Sequence, residues 1–105
     1  MLATIFQKRN QSFLKSWIQY NPSEEIAKVT VPILIINGDK DIQVGMEDAK
    51  ALHTASPKSN MLIIENMNHV LKKVTSDIEN QQSYLTDSYK LAPQLITVII
   101  QFITQ

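Results

Sequence analysis

The chain has 105 residues, of which 44% are hydrophobic, with ten basic and ten acidic side chains and no cysteine. This length suits a single domain, and a formal net charge of zero argues against a nucleic-acid binder or a polybasic protein of the membrane surface. Without cysteine, disulfides and thiolate metal sites are excluded.

The first 28 residues predict helices. Residues 3–19 carry apolar side chains at roughly helical spacing: Ile5, Phe6, Phe13, Leu14, Trp17 and Ile18. Pro22 ends this stretch and opens a second, short helix that has Asn21 as its N-cap. That helix must end early, because the run VTVP at 29–32 favours extended backbone.

The middle of the chain predicts a strand, a helix and a second strand. The apolar run ILII at 33–36 fits a strand that is covered on both faces, as in a parallel sheet. Residues 46–55 predict a helix with a buried stripe of Met46, Ala49, Leu52 and Ala55. The run MLII at 61–64 predicts the second strand, parallel to the first and joined to it by a right-handed crossover.

The last third of the chain is polar and then apolar. Residues 70–90 lack clear periodicity and are predicted to be a long loop with at most one irregular turn, which is either disordered or in contact with a substrate. Residues 91–104 predict a helix with Leu95, Val98, Ile99, Phe102 and Ile103 on one side. The apolar run at 96–100 is far shorter than the roughly 20 residues that span a bilayer.

No feature of the sequence indicates export or a bound cofactor. The opening residues do not resemble a signal peptide, since the apolar stretch is short and the basic residues follow it. With only two glycines, the chain contains neither GxGxxG nor GxxxxGK[ST]. A calcium loop around Asp39 and Asp41 is unfavoured, since the glycine and glutamate that such a loop needs are missing. We therefore expect a cytoplasmic protein with no cofactor, metal or membrane span.

Residues with catalytic potential follow each predicted strand. The first strand leads into NGDKD, which ends at Asp41, and the second leads into ENMNH, which ends at His69. Neighbouring parallel strands lie about 4.8 Å apart and end at the same edge of a sheet. An acid and a histidine at these positions can therefore form a hydrogen bond, which orients the imidazole and leaves its other nitrogen free to take a proton from a nucleophile.

Two segments resemble the α/β-hydrolase family. The run VPILIINGDKDIQV at 31–44 is similar to that family's strand and G-x-x-D acid loop, and LIIENMNH at 62–69 is similar to its next strand and histidine loop. Gly45 stands where the family often has proline. The resemblance covers residues 11–74 well and the C-terminal helix more loosely. It implies that Asp41, rather than Asp39, is the triad acid and that His69 is the general base.

The nucleophile of that family is missing. None of the eight serines (12, 16, 23, 56, 59, 76, 83 and 88) has the flanking glycines of G-x-S-x-G, which precedes the acid and the histidine in chain order. The resemblance therefore implies a single partial α/β-hydrolase domain over 1–105. Residues 1–28 would return from the cap region, and residues 29–105 would hold the last two parallel strands, their connecting helix and the C-terminal helix.

Two functions follow as expectations. In the first, the chain is the C-terminal segment of a serine hydrolase that acts on an ester, thioester or peptide bond of a small acyl substrate, and it is inactive alone. In the second, it is a non-catalytic self-association module with a vestigial acid–histidine pair. Residues 32–36 would form an uncovered apolar strand, for which we expect antiparallel pairing with a second copy. Asp39 is expected to bond to loop backbone or to cap the turn, and His53 to face solvent.

Overall fold

The computed structural model describes residues 21–105, which form an α/β arrangement of four helices and a two-stranded parallel sheet. In chain order the elements are α1 (Pro22–Ile26), β1 (Leu34–Gly38), α2 (Met46–Ala55), β2 (Asn60–Ile64), α3 (Asp77–Ser83) and α4 (Pro93–Ile103). The predicted α/β class and the parallel strand–helix–strand unit are confirmed. The helices predicted in 3–19 lie outside the described residues.

Local sequence signals account for the first elements. The side chain of Asn21 accepts a hydrogen bond from the Ser23 amide at 3.0 Å, and Pro22 occupies the first turn of α1, as predicted. Helix α2 has the predicted bounds, with Ala49 buried and the rest of its predicted stripe half-buried. It contacts α1 and both strands.

The parallel register brings the carboxyl ends of both strands to one edge of the sheet. Leu34 is paired with Asn60 at one end and Gly38 with Ile64 at the other. Ile64 also belongs to a buried apolar cluster with Met67, Ala92 and Leu95. Because Met67 and Ala92 belong to the connections after β2 and before α4, this cluster packs the loop that carries His69 against the sheet and α4.

Helix α4 is slightly shorter than predicted and buries one side only. Leu95 is buried, Val98 and Phe102 are half-buried, and Ile99 and Ile103 are exposed, although the spacing placed all five on one side. Among the helices formed by residues 21–105, none has the length and apolar character that crossing a membrane requires.

The prediction of a long loop over 70–90 was wrong, because α3 occupies residues 77–83 of it. The helix has only seven residues, too few for a visible apolar periodicity, and its start is stabilised by caps. The Ser76 side chain accepts from the Glu79 amide at 3.2 Å, and the Glu79 carboxylate accepts from the hydroxyl and the amide of Thr75. Those two hydrogen bonds lower the pKa of Glu79. The sequence SDIE at 76–79 has the capping-box pattern and could have indicated this helix.

The cap on α3 gives a testable stability change. We expect Ser76→Ala to lower the free energy of unfolding by about 1 kcal/mol, because the Glu79 amide loses its acceptor. Ser76→Gly should cost only a few tenths of a kcal/mol, since glycine is itself a tolerated N-cap. Urea unfolding followed by circular dichroism measures both. Equal losses for the two variants would contradict a capping role for the hydroxyl.

Candidate acid–histidine site

Asp41 lies in the acid loop, residues 39–44, which directly follows β1. One carboxylate oxygen, Oδ1, accepts hydrogen bonds from the backbone amides of Gln43 at 2.9 Å and Val44 at 2.8 Å. Its own amide donates to the Gly38 carbonyl at 3.2 Å. Aspartate side chains favour such bonds to amides two and three residues ahead. The loop therefore holds the carboxylate in one orientation, with only 7% of the side chain exposed.

His69 lies in the histidine loop, residues 65–71, which follows β2. Its Nδ1 lies 3.0 Å from Oδ2 of Asp41, so the predicted contact is present. An ionised carboxylate only accepts hydrogen bonds, and Nδ1 must therefore carry the proton. Nε2 is then the basic nitrogen, and it has no hydrogen-bond partner among residues 21–105. With 40% of the side chain exposed, the ring is open to a second reactant.

The surroundings of Asp41 keep it ionised. Burial raises the pKa of its carboxyl, and the hydrogen bonds from the Val44 amide, the His69 ring and the Gln43 amide lower it. The lowering effects together outweigh burial, so the pKa lies below its ordinary value. At neutral pH the carboxylate is thus available to stabilise a protonated His69 ring.

Backbone hydrogen bonds hold the two loops together. The Lys40 amide donates to the Met67 carbonyl at 3.0 Å, and the Asp39 amide donates to the Ile64 carbonyl at 3.1 Å. The Asp39 carboxylate accepts from the Asn66 amide at 2.8 Å. The structure therefore gives Asp39 a loop-bonding role, as expected, and places Asp41 rather than Asp39 against the histidine.

Gly38 allows the loops to approach this closely. A Cβ atom at this position would overlap the backbone carbonyl of Met67. On the far side of the histidine loop, Leu71 has a φ of 67°, a left-handed conformation that is unfavourable for a leucine. The Leu71 amide and carbonyl are both hydrogen-bonded, to Asn68 and Ala92. These two backbone hydrogen bonds hold Leu71, at the end of the histidine loop, in its left-handed conformation.

A shallow cavity of about 250 Å³ lies beside the pair, and Gly38, Val44 and Leu71 contribute to its wall. Ligand pockets usually measure about 300–1,000 Å³. The cavity that residues 21–105 form beside the pair is therefore smaller than a typical ligand pocket. A larger cavity of about 570 Å³ lies among residues 29–33 and 56–60, at the opposite ends of the strands from the acid–histidine pair.

The second histidine differs from its prediction. His53 is half-buried rather than solvent-facing, and its Nδ1 lies 2.8 Å from the Ser59 hydroxyl, which is buried. The reason is that the chain turns back after α2 and brings Ser59 beside the last turn of the helix. Within the part of the chain that the structure describes, no group of three or more histidine, aspartate or glutamate side chains is placed to hold a metal ion.

Three residues that the sequence reasoning did not single out lie buried beside the site. Asn68, Asn80 and Ser83 form a hydrogen-bonded group between α3 and the two loops. Their polar side chains resemble those of a solvated loop in the sequence. The capping box at 76–79 was the only available signal that this segment is folded.

The ionised state of Asp41 predicts a pH dependence of stability. Because its pKa is lower in the folded chain than in the unfolded one, the ionised carboxylate stabilises the fold above the ordinary aspartate pKa of about 3.9, and this stabilisation is lost as the pH falls through the folded value. In Asp41→Asn this position has no ionisable carboxyl group, so the variant serves as the reference. The stability advantage of the unsubstituted chain over this variant should therefore shrink as the pH falls from about 5 to about 3. Urea unfolding across this range measures it, and a difference independent of pH would contradict the ionised pair.

No protein-family model matches the chain. No curated protein matches it in sequence.

Proposed function

We propose that this chain supplies the acid and the base of a serine-hydrolase-type triad, as the C-terminal segment of an α/β-hydrolase that acts on an ester, thioester or peptide bond. The observation that carries the proposal is the 3.0 Å contact between Asp41 Oδ2 and His69 Nδ1, with the other carboxylate oxygen held by two backbone amides.

The geometry suits proton transfer by His69. Asp41 holds the proton on Nδ1, so the lone pair of Nε2 accepts a proton from a serine hydroxyl as the serine oxygen attacks the substrate carbonyl. The resulting imidazolium is stabilised by the Asp41 carboxylate. Nε2 then returns the proton to the leaving group as the carbonyl re-forms and the bond to that group breaks.

The serine must come from another segment in this proposal. No serine of the chain lies in a G-x-S-x-G sequence. Among the described serines, Ser59 is hydrogen-bonded to His53, and Ser83 is buried against Asn68 and Asn80. Neither hydroxyl contacts His69. The small cavity beside the pair is consistent with this division, since the remaining wall would come from the segment with the nucleophile.

The alternative is a self-association module whose acid–histidine pair has no catalytic use. It is based on exposed isoleucines on α4, at positions 96, 100 and 103, which a second copy would bury. In this alternative, residues 32–36 pair antiparallel in a twofold dimer.

A fluorophosphonate probe, which labels activated serines, separates the two functions. We expect no labelling of the 105-residue chain and no turnover of a p-nitrophenyl ester beyond that of free imidazole. We expect the genomic sequence upstream of the codon for Met1 to encode G-x-S-x-G in the same reading frame. In the longer product, which is the protein extended to include that motif, we expect the probe to label the motif's serine. A longer product that remains unlabelled, or a reading frame without such a motif, would contradict the hydrolase. If light scattering also shows a stable dimer, either of these two contradicting results would favour the self-association module.

A further inference from the structure

Helix α3 is attached to the acid and histidine loops through polar side chains. Its only buried residues are Asn80, which is 3% exposed, and Ser83, which is 5% exposed. The residue that they face, Asn68, is 1% exposed. A helix that merely covers a core buries apolar side chains, because a buried polar group costs free energy unless every hydrogen bond is made. The polar contacts of α3 therefore call for a further explanation.

The carboxamide of Asn80 joins the two loops. Its Nδ2 donates to the Lys40 carbonyl at 2.7 Å, and its Oδ1 accepts from Asn68 Nδ2 at 3.0 Å. Lys40 directly precedes Asp41, and Asn68 directly precedes His69. One side chain thus contacts the residue before each member of the acid–histidine pair.

The remaining hydrogen bonds permit a single arrangement of this group. Asn68 Nδ2 also donates to the Ser83 hydroxyl. That hydroxyl donates in turn to the backbone carbonyl of Asn80 at 2.7 Å. Asn68 Oδ1 accepts from the Lys72 amide at 3.0 Å, which defines the orientation of its carboxamide. Each side chain of the group thus makes at least two hydrogen bonds within the protein, and such networks favour one geometry over its neighbours.

A second contact ties the same helix to the acid loop. The side chain of Gln43 donates to the hydroxyl of Tyr84, the C-cap residue that directly follows α3, at 3.1 Å. The Gln43 amide is one of the two that hold Asp41. Helix α3 therefore contacts the acid loop on both sides of Asp41, at Lys40 and at Gln43.

We propose that Asn80 is a positioning residue, whose carboxamide holds the acid loop against the histidine loop and so keeps Asp41 and His69 within hydrogen-bonding distance. An effect of Asn80 on turnover rests on the proposed hydrolase function. An effect of Asn80 on the Asp41–His69 contact does not depend on that function, and it can be measured in the 105-residue chain.

Nitrogen-15 NMR of the imidazole rings tests the geometry. The chain has two histidines, so His69 can be observed with His53 as an internal reference, and His53→Gln assigns the signals. In the unsubstituted chain at pH 7.5 we expect His69 to carry its proton on Nδ1. In Asn80→Ala we expect at least about half of that population to move to the Nε2–H form that free imidazole side chains prefer, with His53 unchanged.

Matched variants separate positioning from a general loss of stability. Ala49→Gly destabilises α2 at a buried site away from α3 and should leave the His69 tautomer unchanged. If Asn80→Ala fails to fold, Asn80→Leu retains the approximate volume but lacks both the donor to Lys40 and the acceptor for Asn68. It should cause the same tautomer change. A folded Asn80 variant whose His69 ring keeps the original tautomer would overturn the proposal.

Kinetics of the longer hydrolase distinguish this proposal from the proposed function. We expect Asn80→Ala to lower kcat about tenfold with KM nearly unchanged, since the residue does not contact the substrate. If His69→Ala abolishes turnover and Asn80→Ala alters neither kcat nor the tautomer, the positioning role fails while the function stands. If Asn80→Ala changes the tautomer and the longer product shows no turnover, the function fails while the positioning role stands.

Discussion

In the hydrolase proposed here, His69→Ala is expected to lower kcat by about 10⁴-fold or more. The described structure offers no other group beside Asp41 to take the proton from the nucleophile, because the side chains that contact the acid loop from α3 and its C-cap are one neutral amide, Asn80, and one phenol, Tyr84. KM should change little, since a general base acts in the transition state rather than in substrate binding. Steady-state hydrolysis of a p-nitrophenyl ester by the longer product provides the measurement.

The other histidine provides a matched control for this substitution. His53→Ala removes the same side chain from α2, where it contacts Ser59 and not the acid loop. Its kcat should stay within about twofold of the unsubstituted enzyme. Because triad members act as a unit, Asp41→Ala combined with His69→Ala should be no worse than His69→Ala alone. Equal effects of the two single histidine substitutions would contradict the assignment of His69 as the base.

Gly38→Ala is expected to give the largest loss of stability from a single added methyl group. The new Cβ would overlap the backbone carbonyl of Met67, which cannot move away as the end of a flexible side chain can. Met67 is itself buried in the apolar cluster around Ile64, so a shift of its backbone would disturb the core as well as the histidine loop. We expect a decrease of about 3 kcal/mol in the free energy of unfolding, at the upper end for overpacking.

The only other glycine of the chain provides the control. At Gly45, the N-cap of α2, the nearest atom to an added Cβ is the carboxylate end of the Glu47 side chain at 3.0 Å. That side chain can rotate away, and the φ of −76° suits any residue. Gly45→Ala should therefore change stability by less than about 1 kcal/mol. Urea denaturation of the two variants measures the difference, and similar losses at both positions would contradict the close approach of the loops at Gly38.

The sequence by itself determined the parallel strand–helix–strand unit and the positions of Asp41 and His69. A short apolar run bounded by polar residues indicates a strand, because a strand covered on both faces is apolar along its whole length. Once the strands were parallel and adjacent, the residues after their carboxyl ends had to lie near one another. The G-x-x-D spacing distinguished Asp41 from Asp39 by resemblance alone, and the structure supplies the contact that distinguishes them physically.

Only the tertiary structure decided what surrounds that pair. The hydrogen bond between Asn80 and Lys40 joins residues 40 positions apart, and no local pattern reports such a partner. Asn68, Asn80 and Ser83 are buried, yet hydrophobic periodicity detects burial only where the buried side chains are apolar. A segment that is stabilised by capping and by satisfied polar contacts therefore has the composition of a solvated loop. His53 is likewise a polar side chain that the sequence places on the exposed side of α2. Its burial follows from the turn after α2, which places Ser59 against it.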